Sequence, residues 1–130
     1  MAEIHVPISP GELIDKLTIL EIKSERMSDE KKLANVRLEL KLLTDTWNKS
    51  DYAKFDIAAE WKELKRINAA LWDIEDHIRD EERAKRFGEK FIELARAVYV
   101  TNDDRAAVKR KINEKLGSKI VEEKSYADYK

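Results

Sequence analysis

The sequence predicts an all-α fold, an elongated helical bundle or hairpin of about five helices with short extended ends, and three observations lead there. The chain is 42% hydrophobic and 41% charged, with three glycines and two prolines in 130 residues, a composition that favours long solvated helices. Apolar residues recur at alternating steps of three and four over most of its length. Cap-forming residues or breakers separate these runs. At this length a single domain is expected, with residues 1–9 as an extended arm, 10–117 as helices and 118–130 as a tail that docks or frays.

In the arm, Ile4, Val6 and Ile8 alternate with Glu3, His5 and Pro7, the period of a short strand whose ladder Pro7 would limit. Ser9-Pro10-Gly11-Glu12 starts the first helix: Ser9 caps, Pro10 suits the first position, and Glu12 stands where a capping-box carboxylate reaches back. This helix is expected over 10–26. Leu13, Ile14, Leu17 and Leu20 form one stripe, but Ile19 and Ile22 lie opposite, more apolar surface than one partner helix covers. The arm or a second copy is expected to bury the surplus. Ser28-Asp29 caps a second helix with the stripe Leu33, Val36, Leu40, Leu43 and Trp47, antiparallel to the first. A third runs from about 52 to 84 on Ile57, Trp61, Leu64, Ile67, Leu71, Ile74 and Ile78, spanning roughly 50 Å. Gly88 breaks the chain before a fourth helix bearing Phe91, Leu94, Ala95 and Val98. Thr101 and Asp104, spaced as in a capping box, then open a fifth that stops at Gly117.

No cysteine is present, which removes disulfides, thiolate metal sites and cysteine nucleophiles. No apolar run reaches the roughly 20 residues that cross a bilayer, so membrane insertion is not expected and the expected address is cytoplasmic. The two histidines, His5 and His77, do not follow a glutamate by three, as a di-metal carboxylate bundle requires. Asp73 and His77 share a helix face as a helix-stabilising pair. No phosphate loop or Ser-His-Asp arrangement is present, so no metal and no cofactor are expected, and the enzyme question leans towards no.

The net charge of −1 hides an asymmetry. Residues 1–82 carry 13 Lys and Arg against 19 Asp and Glu, and residues 83–119 carry 11 against 5. Such halves are expected chiefly to meet each other inside the fold or between copies, with Arg105 and Arg110 pairing with the acidic half. The competing expectation is a small-anion site on the last helix. Arg105, Lys109 and Asn113 follow one face, Arg110 lies beside them, Asn102 stands at the expected helix start, and the tail returns Lys124 and Tyr126. Charge alone also supports nonspecific polyanion binding, but no nucleic-acid motif accompanies it, so a nucleic-acid partner is not expected.

Leu13-Ile14-Asp15-Lys16-Leu17 with Glu25-Arg26 is similar to the opening helix of the all-helical chorismate mutases, which bind a dicarboxylate among converging cations. Here no arginine precedes Arg26, and only Lys16, with Arg37 on the next helix, could join it. A broader resemblance rests on the run Pro7-Ile8-Ser9-Pro10-Gly11-Glu12-Leu13-Ile14-Asp15-Lys16-Leu17-Thr18-Ile19-Leu20-Glu21 and on Lys32-Leu33-Ala34-Asn35-Val36-Arg37. It continues in Asn102-Asp103-Asp104-Arg105-Ala106, Lys109-Arg110, Ile112-Asn113 and Glu122-Glu123-Lys124-Ser125-Tyr126. These blocks resemble a family of small bacterial and phage proteins known only as a domain of unknown function. The resemblance implies a mainly helical domain and an association with glycosyltransferase or surface-polysaccharide gene contexts, and it brings no catalytic residues.

The leading expectation is a non-catalytic interaction or accessory module that self-associates or takes a protein partner. Its contacts would be Ile19 and Ile22, Ile4 and Val6 of the arm, and the docked tyrosine tail. The alternative is a small-anion or nucleotide-sugar binding protein, conceivably an enzyme, using Arg105, Lys109, Arg110, Asn102, Lys124 and Tyr126. A chorismate-mutase-like enzyme and nonspecific polyanion binding are weaker readings.

Overall fold

Four α-helices joined by short connections make up the protein in its computed structural model, which describes residues 2–130. They are α1 (Pro10–Arg26), α2 (Glu30–Lys49), α3 (Ala58–Arg83) and α4 (Glu89–Leu116), with one 3₁₀ turn at Asp51–Lys54. No strand occurs among the described residues. The Ser9 hydroxyl accepts from the Glu12 backbone N–H at 3.2 Å, and Pro10 fills the first helical position of α1. Asp29 caps α2 by accepting from the Lys32 backbone N–H at 3.0 Å. Before α3 the Asp56 carboxylate accepts from the Ala58 N–H at 3.0 Å. Gly117, at φ 65°, ends α4, and the Ser118 N–H reaches back to the Asn113 carbonyl at 2.9 Å.

α3 begins later than its periodicity suggests. Residues 51–54 tighten into the 3₁₀ turn and 55–57 are non-helical, so 26 residues remain and span about 39 Å. The expected fourth and fifth helices are one, continuous through Thr101. The amide of Asn102 and the carboxylate of Asp103 serve other side chains, Arg105 for the first and Lys124 and Tyr129 for the second. Diverted from the backbone, these polar groups no longer break the helix.

α1 lies at the centre and touches α2, α3 and α4. That is why it is apolar on opposite sides: Ile14 and Leu17 enter the core with Leu64 and Ile112, and Ile22 is 2% exposed within its own chain. The helices cover the surplus surface that the arm or a second copy was expected to bury. Ile22 thus offers almost no surface to a second copy, whereas Ile19 is half-buried. The arm lies outside, extended and without a ladder, with Ile4 90% exposed and Val6 also in solvent. Trp47 and Trp61 seal the other end of the core edge to face, ring centres 5.9 Å apart, and the Trp61 indole N–H donates to Glu21 at 3.1 Å.

Packing is uneven along the α3–α4 pair. From Leu71 to Lys111 no apolar side chain is fully buried, and Ile74, Ile78, Phe91 and Leu94 form a half-covered seam. Glu81 closes the hairpin: its carboxylate takes the Arg86 guanidinium and its carbonyl takes the Arg86 N–H, around Lys85 at φ 57°. Leu64→Ala is expected to cost about 2–5 kcal/mol in denaturant unfolding, while Leu38→Ala, at an exposed site of α2, stays within about 0.5 kcal/mol.

Candidate functional site

The start of α1 touches the end of α4 backbone to side chain. The Gly11 N–H donates to the buried Asn113 Oδ1 at 2.7 Å, so an orphan amide of the first helical turn is satisfied from another helix. A Cβ at residue 11 would lie 2.5 Å from the Lys109 carbonyl oxygen and 2.9 Å from Asn113 Oδ1. Glycine is needed there for proximity. This contact sets Glu12 and Asp15, one turn apart on α1, beside Lys109.

Lys109 is more enclosed than Arg110 or Lys124, its side chain 13% exposed. Its ammonium meets Glu12 at 2.7 Å, Glu122 of the tail at 3.2 Å and Asp15 at 3.8 Å. Burial works against its charge, but the Glu12 hydrogen bond and the Asp15 charge outweigh it and hold the ammonium above the usual lysine range. Glu12 shows the counterpart: burial alone would raise its carboxyl, yet the Lys109 hydrogen bond and charge bring it below the usual range. The Glu12 carboxylate is therefore spent on Lys109, with Lys16 at 3.8 Å, rather than on a capping box.

Deeper between α1 and α3, the Asn68 amide nitrogen donates to Asp15 at 2.8 Å and to the Thr18 hydroxyl at 3.0 Å, and Thr18 donates to the Asp15 carbonyl at 2.9 Å. The Asn68 oxygen then faces Arg105, which reaches it at 3.5 Å and the Asn102 oxygen at 2.5 Å. Asn102, Arg105, Lys109 and Asn113 thus form one polar face of α4, turned inward onto α1 and α3.

The tail covers an adjoining face. Lys124 and the Tyr129 hydroxyl both bind Asp103 at 2.7 Å, and the Tyr129 ring meets Tyr99 edge to face at 5.0 Å between centres. Arg110 holds the Glu122 carbonyl and the Glu123 carboxylate, each at 3.4 Å. A cleft of about 1010 Å³ runs between the tail and α4.

The anion site expected from the sequence is accordingly rearranged. Residues 101–104 provide no helix N-terminus, because α4 runs through them. Lys109, Arg110 and Lys124 are each engaged by carboxylates of the chain, and Tyr126 is 84% exposed beneath the Lys124 ammonium, 5.7 Å from its ring centre. Arg105 and Arg110 do not pair with the acidic half: Arg105 meets two amides and Arg110 meets the tail. The halves do meet through Lys109, through Lys115 with the buried Glu60 at 2.6 Å, and through Arg86 with Glu81. Asp73 pairs with Arg26 at 2.6 Å rather than with His77, and no group of three metal-binding side chains occurs among the described residues. The trio suggested by the chorismate mutases is dispersed, with Lys16 near Glu12, Arg26 on Asp73 and Arg37 exposed on α2.

Gly11, Asp15, Thr18 and Asn68 did not stand out in the sequence. The available signal was polarity in apolar company: Asp15 follows Ile14, Thr18 follows Leu17, and Asn68 follows Ile67. Gly11→Ala is expected to cost about 1–3 kcal/mol by overpacking, and Asn113→Ala a similar amount by orphaning the Gly11 N–H. A double-mutant cycle in urea should show the two costs to be non-additive.

Tyr129 gives the tail a titration signature. Its hydrogen bond to Asp103, with that carboxylate's charge, pushes the phenol up to about 12, while Lys124 and Tyr129 hold Asp103 below the usual carboxylate range. A raised tyrosine value means that docking favours the neutral phenol, is fully supported below the unfolded value of about 10, and is lost as pH rises through about 12. Phenolate absorbance should resolve this group among the four tyrosines, and Asp103→Asn should return it towards 10.

No helix among the described residues is long and apolar enough to cross a membrane. No curated protein and no solved structure matches the chain. A family model does match, over residues 4–129, taking in the arm, all four helices and nearly the whole tail. The chain belongs to that family, a family of unknown function designated DUF6165.

Proposed function

We propose that the protein is a non-catalytic interaction module that self-associates through the outer half of its α3–α4 hairpin. The carrying observation is the seam of Ile74, Ile78, Phe91 and Leu94, which two helices leave half-covered, with Phe87 and Ile92 exposed at its end. An antiparallel helix pair is half of a four-helix bundle, and a second copy supplies the other half by two-fold symmetry.

Charge supports this pairing. From 73 to 82, α3 carries Asp73, Glu75, Asp76, Asp80, Glu81 and Glu82 against Arg79. From 83 to 96 the chain carries Arg83, Lys85, Arg86, Lys90 and Arg96 against Glu89 and Glu93. A two-fold arrangement sets the acidic α3 of one copy beside the basic α4 of its partner. Helix one supports such a contact less, because its Ile22 is buried within its own chain.

Sedimentation velocity at high micromolar concentration is expected to give a dimer or larger species. Ile78→Lys with Leu94→Lys should yield a monomer that retains its helical circular dichroism. A wild-type monomer at that concentration would overturn the proposal.

A further inference from the structure

We infer that an open pocket between α1, α3 and α4 binds a small organic acid with a single anionic head, its carboxylate or phosphate on Arg105 and its apolar body along Trp72. The cavity holds about 390 Å³, within the usual range of small-molecule sites. Each helix gives it one face: Ile19 from α1, Leu71 and Trp72 from α3, and Val98 from α4 form apolar walls. Its polar groups converge at one end, where Asn68, Asn102 and Arg105 meet.

Arg105 differs from the cations around it. Lys109, Arg110, Lys115 and Lys124 each hold a carboxylate, whereas no carboxylate lies within ion-pair distance of Arg105 among the described residues. Its two partners are neutral amide oxygens, and Asn68 is fixed in that orientation because its nitrogen is committed to Asp15 and Thr18. The nearby Asp15 carboxylate faces Asn68 and Lys109. The amides aim the guanidinium without neutralising it. Five N–H donors leave capacity for a forked contact with one anionic head, and a half-buried cation without a counter-ion is costly unless something supplies that charge.

The far end sets the charge of the ligand. Glu75 and Asp76 lie two turns along α3 from Asn68, and Glu75 is engaged by Arg79 whereas Asp76 has no ion-pair partner among the described residues. Such a rim repels a second anionic group, so the cavity selects a single negative head on an apolar or ring body over diphosphates and nucleotides. Arg26, bonded to Asp73, stands 5.9 Å from the ring centre of Trp72, the aromatic wall.

The test is ¹⁵N–¹H NMR titration of the full chain with 3-phenylpropionate, phenyl phosphate, inorganic phosphate and pyrophosphate, at low salt. One of the two aromatic anions should shift the Trp72 indole and the amides of 98–105, binding about tenfold or more tightly than either inorganic ion. Whichever head binds better identifies carboxylate or phosphate as the natural chemistry. Arg105→Gln should weaken that binding about tenfold or more, and Val98→Trp, which fills the cavity and leaves Arg105 in place, should do the same. The inference is overturned if no aromatic anion binds by about 10 mM, if Arg105→Gln binds as the wild type does, or if the shifts map to the tail instead.

Discussion

Between the first turn of α1 and the last turns of α4 there is no room for a methyl group, because the Gly11 N–H donates to a buried Asn113 oxygen at 2.7 Å. A hydrogen bond from a helix-terminal amide to a buried side chain has little positional freedom, so it fixes the axial register of the two helices. Glu12 and Asp15 then stand opposite Lys109, and Asp15 and Thr18 hold the Asn68 nitrogen from the other side. The sequence separations are large, 102 residues for Gly11 to Asn113 and 53 for Asp15 to Asn68. Those contacts close the chain into one set of packed helices and decide which polar groups face inward.

The same register accounts for the division of charge along the chain. Acidic groups on α1 and α3 meet basic groups on α4, and the two glutamates of the tail add carboxylates to Lys109 and Arg110. Three cations of the basic helix, Lys109, Arg110 and Lys115, are thus satisfied by carboxylates of their own chain. Exposed pairs such as Arg66 with Glu63 contribute little to stability, whereas the enclosed Glu12–Lys109 contact is less screened by solvent and would be costly to break from one side. Arg105 stands apart because its partners are amides.

Core packing divides the molecule functionally. Around α1 the side chains interlock, with Ile14, Leu64 and Ile112 wholly buried, and this end carries most of the burial. Beyond Trp72 the α3–α4 hairpin has only its own two faces to offer, and its apolar side chains stay half-covered. The cavity beside Arg105 lies where these regimes meet. The proposed contact function draws on the half-covered hairpin, set on a closely packed base.

Local rules were enough for much of the fold. The caps at Ser9 and Asp29, the break at Gly88, the stop at Gly117 and the apolar stripes of α2 and α3 depend on neighbours within about one or two helical turns, and they stand in the structure as their residues imply. The helix start expected at Thr101 does not, because Asn102 and Asp103 find partners in side chains instead of the local backbone. The two apolar sides of α1 were legible, but not what covers them, since periodicity reports that a face is apolar and not which element meets it. The polar face of Asn102, Arg105, Lys109 and Asn113 could be placed on one side of a helix, while its inward orientation follows from Gly11, Asp15 and Asn68, remote in sequence. Sequence by itself determined which segments are helical and where most of them begin and end, since hydrogen bonding and side-chain period are local. Tertiary structure alone decided which charges are spent within the chain and which remain open, because that depends on separations of a few ångströms between residues 40 to 100 positions apart.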